Sequence, residues 1–129
     1  MAQTIPLPTP RSDAAIVGTA VLRAAAALGL RQKELAAVIG VSPSQLSRAK
    51  HAAAQLFPDS AAHDHRVEAA LLLIRVYRSL HGIFGDDRAA HERWLRSPNT
   101  RLGGVPLELL TTIRGKVRCV DYLDAMRGL

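Results

Sequence analysis

The 129-residue chain is 48% hydrophobic but only 4% aromatic, and its 17 Lys and Arg against 11 Asp and Glu leave a net charge of +6. That length holds one core or two very small ones, and the hydrophobic content excludes global disorder. Scarce aromatics and abundant alanine argue against a sheet and for closely packed helices, while the positive charge favours polyanionic partners, nucleic acid foremost.

Pro6, Pro8 and Pro10 space an N-terminal stretch, 1–11, that reads as flexible rather than as an apolar leader. Ser12 or Asp13 caps a first helix over about 13–28, where Ile16, Val17, Ala20, Val21, Ala24 and Leu28 recur at helical spacing before Gly29. A second helix spans 32–39 and stops at Gly40. Ser42, Pro43 and Gln45 then open a third, with Ser at the N-cap, Pro at the first helical position and Gln closing a capping box. Pro58 and the polar residues up to Asp64 form the expected linker between a unit at 12–60 and another at 61–129.

A long helix over about 65–81 follows. Val67, Ala70, Leu71, Ile74 and Tyr77 line one of its faces, and Leu72, Leu73, Val76 and Leu80 a second. A helix apolar on two faces is buried on two sides, either in the core of the second unit or in a subunit interface. Gly82 and Gly85 are expected to break it. Asp86 or Asp87 starts a helix carrying Trp94 and Leu95 that stops before Pro98. A loop with Asn99, Gly103 and Gly104 leads to a short helix over 106–114, and Gly115 interrupts the chain before a last helix at about 117–127. The expected fold class is all-α: a helix-turn-helix bundle followed by a small helical domain.

Residues 31–50 carry the first functional signal. Two helices crossing through a short turn need a small residue where their backbones approach, and Ala36 supplies it. The turn needs a positive φ, which Gly40 tolerates. Leu35, Ile39, Val41 and Leu46 then point inward, leaving Ser44, Gln45, Ser47 and Arg48 on a face that can enter a major groove. The segment resembles the helix-turn-helix of phage repressors and Xre-type regulators, in which Gln-x-Glu-Leu-Ala-x-x-x-Gly precedes a polar recognition helix. That resemblance implies that Gln32 meets a phosphate, that Ser44, Gln45 and Arg48 face bases, and that Ser42, Ser47 and Lys50 touch backbone or bases of double-stranded operator DNA.

Enzymatic patterns are absent from the sequence. It contains no nucleophile–base set, phosphate-binding loop or nucleotide fingerprint, so neither catalytic residues nor a cofactor are expected. His63-Asp64-His65 reads as solvated linker rather than a metal site, Asp86-Asp87 as a helix start, and Asp121 and Asp124 as a solvated face. The lone Cys119 permits no internal disulfide and fits a reducing cytoplasm, and its neighbours mark it as a small apolar helix residue. No apolar run reaches about 18 residues, so a cytoplasmic protein without a membrane partner is expected.

The second half carries the order Trp94-Leu95, Pro98-Asn99, Leu102-Gly103-Gly104, Val105-Pro106, then the leucines 107, 109 and 110. This is similar to the C-terminal domain of the Xre/MbcA/ParS antitoxins, although Arg114-Gly115-Lys116 lacks the acid-and-glycine spacing often found there. The resemblance implies an antitoxin paired with a RES-domain toxin that consumes NAD or transfers ADP-ribose. Its C-terminal domain would cover the toxin's nucleotide pocket while the N-terminal domain represses the shared operon. Trp94, Leu102, Gly103 and Gly104 would hold the toxin. The closing helix would bring Arg118, Tyr122, Arg127, Gly128 and the Leu129 carboxylate to an electropositive pocket. A homodimer is expected, joined largely through residues after Asp64, because repressors read palindromes as dimers. The alternative is a stand-alone dimeric repressor with no toxin partner.

Overall fold

Ser12, rather than Asp13, starts the first helix: its Oγ accepts from the Ala15 amide at 3.2 Å in a computed structural model that describes residues 12–52, 56–58 and 64–128. The expectations for residues 1–11, for most of the 59–64 linker and for His63 and Leu129 therefore lie outside the described residues. Within them run seven helices: α1 (Asp13–Leu28), α2 (Gln32–Ile39), α3 (Pro43–Ala49), α4 (His65–Phe84), α5 (Arg88–Arg96), α6 (Pro106–Leu109) and α7 (Ile113–Met126).

α1 turns a face of small residues inward, with Ala14, Gly18, Val21, Ala24 and Ala25 buried, so it packs closely along α4. Asp64 caps α4, accepting from the Arg66 amide at 2.8 Å, and the Arg66 guanidinium holds the same carboxylate from two sides. α4 is the axis of the molecule. Its apolar stripes pack against α1, α2, α5 and α7 of the same chain, except at Leu71, which stays exposed. Leu73, Val76 and Leu80 are fully buried, each contributing roughly 1.5–3 kcal/mol relative to exposure. Its second face is thus no free surface awaiting a partner. One continuous hydrophobic cluster runs from Ala14 to Leu123 through α4, and it also takes in Leu56 and Phe57, which lead out of the helix-turn-helix.

Two glycines expected to break helices lie inside them. α4 continues through Gly82 to Phe84 and is capped at Gly85, and α7 begins at Ile113 and continues through Gly115. A mid-helix glycine costs about 1 kcal/mol relative to alanine, and here each makes room for a neighbour. A Cβ on Gly115 would run into the carbonyl of Leu109, so this glycine lets the end of α6 sit against α7. A Cβ on Gly82 would meet the Arg127 guanidinium at 3.1 Å. α6 accordingly ends sooner than expected, at Leu109, and Thr112 caps α7 by accepting from the Gly115 amide at 3.0 Å.

Candidate nucleic-acid interface and toxin-binding face

α2 and α3 are joined through a turn that uses each expected device. Gly40 sits at φ 74°, and the carbonyl of buried Ala36 accepts from the Gly40 and Val41 amides at 2.9 and 3.2 Å. The Ser42 hydroxyl accepts from the Gln45 amide at 3.1 Å, and the Gln45 side-chain carbonyl accepts from the Ser42 amide at 2.9 Å. Leu46 and Ala49 point inward, while Ser42, Ser44, Ser47, Arg48 and Lys50 are exposed and Gln45 is half-buried. Gln45 therefore commits one lone pair of its carbonyl to the cap, leaving both amide N–H groups for a ligand. Gln32 is half-buried too, its Nε2 donating to the Pro43 carbonyl at 3.1 Å, which ties the start of α2 to the start of α3. Neither Arg48 nor Lys50 takes part in an ion pair among the described residues.

In the second half, Trp94 of α5 and Tyr122 of α7 stack with ring centroids 6.4 Å apart, both half-buried. The motif between them is architectural. Asn99 closes the loop, its side-chain oxygen accepting from the Arg101 and Leu102 amides at 3.1 Å and its backbone bridging to Gly104. Leu102 is buried beneath the loop, so it pegs the loop from inside, while Gly103 stands exposed and Gly104 half-buried. Arg118 and Gly128 are exposed. Arg127 lies over Gly82, its Nη1 donating to the Ser79 hydroxyl at 3.3 Å. The fold thus brings Trp94 and Tyr122 together and leaves Leu102 out of direct reach of any partner.

Three features escaped the sequence reading. Arg96 of α5 grips Glu34 of α2 from both ends, Nη1 to Oε2 at 2.7 Å and Nη2 to Oε1 at 2.9 Å, and also donates to the Gly29 carbonyl at 3.1 Å. The Arg96 hydrogen bonds, aided by the Arg31 amide, hold the Glu34 carboxyl at about 2, far below its usual range. Sixty-two residues separate the pair, and no local pattern announces it. His91 is buried among the rings of Tyr77 and Phe84 with neither ring nitrogen hydrogen-bonded. Lys116 is buried on the same α7 face as Cys119, Val120 and Leu123, and desolvation lowers its pKa; that helical spacing is the signal that could have found it.

The remaining polar candidates do structural work. Asp87 caps α5 by accepting from the Ala90 amide at 3.1 Å, Asp86 meets His81 Nε2 at 2.9 Å, and Asp124 takes Arg75 at 3.0 Å. Cys119 is fully buried, and burial pushes its thiol up to about 11. Among the described residues no cluster of three His, Cys, Asp or Glu side chains converges, and no helix is long and apolar enough to cross a membrane.

A family model for the antitoxin Xre-like helix-turn-helix domain matches residues 10–74, and one for the antitoxin Xre/MbcA/ParS C-terminal toxin-binding domain matches residues 79–128. The chain belongs to the Xre/MbcA/ParS antitoxins. Its partners are accordingly DNA and a protein toxin. A search of curated proteins returns no match to this antitoxin. One matched range ends and the other begins inside α4, so the helix at the centre of the core belongs partly to the DNA-binding unit and partly to the toxin-binding one.

Proposed function

We propose that this antitoxin neutralises a RES-domain toxin that consumes NAD or transfers ADP-ribose, and represses its own operon through α3. The observation that carries the reading is the coexistence, on one core, of a polar α3 face, where Arg48 and the adjoining Lys50 form no ion pair among the described residues, and a second face built on the Trp94–Tyr122 stack. On the DNA side, Arg48 and Ser44 read base edges, Gln45 contributes its remaining amide N–H groups, and Ser42, Ser47, Lys50 and Gln32 hold the backbone. On the toxin side, Trp94, Tyr122, Arg118 and the exposed Gly103 make the contact surface. Residues 128 and 129 enter the nucleotide pocket, while Arg127 stays on α4 through its bond to Ser79. Leu102 acts through the loop it anchors.

The antitoxin works as a homodimer in this reading. With most of α4 covered, the contact draws on the exposed apolar residues Leu71 of α4 and Ile113 and Val117 of α7, all after Asp64. Sedimentation at tens of micromolar checks this, and a monomer there refutes it.

Co-expression with the toxin encoded in its operon tests the main reading. A stable complex, preserved cellular NAD and a retarded operator fragment are expected. NAD loss unaffected by the antitoxin rejects neutralisation of such a toxin, and no retardation of the operator rejects autorepression.

A further inference from the structure

A groove of about 650 Å³ opens between α1 and α3, on the flank of the recognition helix that carries Lys50. Its floor is apolar, formed chiefly by Leu22, Leu30 and Leu46. The rim is polar and comes from two helices and the end of a third: Thr19 and Arg23 of α1, Gln32 of α2, and Lys50 just past α3. Both charged residues on it are cations, and no acid lines the groove. Neither Arg23 nor Lys50 is in an ion pair among the described residues, and both are exposed. The Gln32 amide is already oriented there by its bond to the Pro43 carbonyl, with a second N–H left over.

We propose that this groove seats one sugar-phosphate strand of the duplex beside the major groove that α3 enters, and that Arg23 is a phosphate contact. The inference rests on the DNA-binding reading of α3 and adds α1 to the contact surface. Two cations and two hydrogen-bonding side chains on one rim match the phosphate oxygens, and the apolar floor matches the deoxyribose rings. A peptide seated in such a groove would need carboxylates facing both Arg23 and Lys50, whereas the nucleic-acid backbone provides a charge at every step. Arg23 positions the duplex without reading sequence, because a phosphate carries no base identity.

The test uses a fluorescent mixed-sequence 30-base-pair duplex and the whole antitoxin, with affinity measured by anisotropy from 50 to 200 mM salt. Each phosphate contact contributes about 0.9 to the slope of log affinity against log salt, so over a fourfold salt range one contact is a factor of about 3.5. Arg23→Gln is expected to lose about 3.5-fold less affinity than the parent across that range, and Arg23→Lys to restore the parent slope. Arg114→Gln removes the same charge from α7, whose packing partners are α4 and α6, and should leave the slope unchanged. A parental slope in Arg23→Gln, or an equal loss of slope in Arg114→Gln, overturns the assignment of Arg23. Failure of the parent protein to bind the duplex even at 50 mM salt overturns the DNA-binding reading itself, and the inference with it.

Discussion

Replacing Glu34 with Gln removes the charge from the clamp that ties α2 to α5 while keeping an oxygen that can accept from the Arg31 amide. A carboxyl held at about 2 instead of 4.5 corresponds to about 3 kcal/mol of stability at neutral pH, provided the unfolded chain titrates normally. The Arg96 side chain is 35% exposed and that of Glu34 20%, so solvent screening reduces this by about half, to ~1.5 kcal/mol. Because the folded-state pKa is depressed, the contribution is present above pH 4.5 and is lost as pH falls from 4.5 to about 2. Urea unfolding of the parent and Glu34→Gln at several pH values reads the difference directly. A midpoint lowered by about 0.5–1.5 M is expected at pH 7, shrinking towards zero between pH 5 and pH 2. Adding Arg96→Gln should cost less in Glu34→Gln than in the parent, since the ionic partner is gone and only the bond to the Gly29 carbonyl remains to be lost. A midpoint difference that stays constant with pH, or that is absent at pH 7, would refute the clamp as a stabilising link.

Arg48→Ala should weaken operator binding by ~1–3 kcal/mol and relax base preference in a mobility-shift titration, and equal loss on specific and non-specific DNA would contradict base reading. Lys50→Ala should weaken all sequences alike and flatten the salt dependence. Gly115→Ala should destabilise the protein by about 2 kcal/mol or more, because the new methyl meets the Leu109 carbonyl; an unchanged melting temperature would mean that α6 can retreat without cost. Deleting residues 127–129 should leave the toxin complex intact while NAD consumption returns, and full silencing by the truncated protein would assign inhibition to coverage alone.

The helix-turn-helix was legible in the sequence because its determinants are local. The Ser42–Gln45 cap, Pro43 at the first helical position, Gly40 in the turn and the apolar spacing of Leu35, Ile39 and Leu46 all act within a few residues of one another. The same holds for the bounds of α1 and α2 and for the loop that Asn99 closes. Where two distant pieces meet, local signals misled. Gly82 and Gly115 look like helix breakers when only propensity is considered, yet each sits mid-helix, leaving space for the Arg127 guanidinium and the Leu109 carbonyl respectively. The two apolar stripes of α4 announced burial on two sides, and periodicity has no means of telling a neighbouring helix from a second subunit. Only the fold shows that α1, α2, α5 and α7 of the same chain cover them at every position but Leu71's end of the first stripe. The Glu34–Arg96 clamp and the groove that gathers Arg23, Gln32 and Lys50 belong to the same class. Their members are scattered along the chain, and charged side chains that look like ordinary solvated surface acquire partners only when tertiary packing places them within hydrogen-bonding reach.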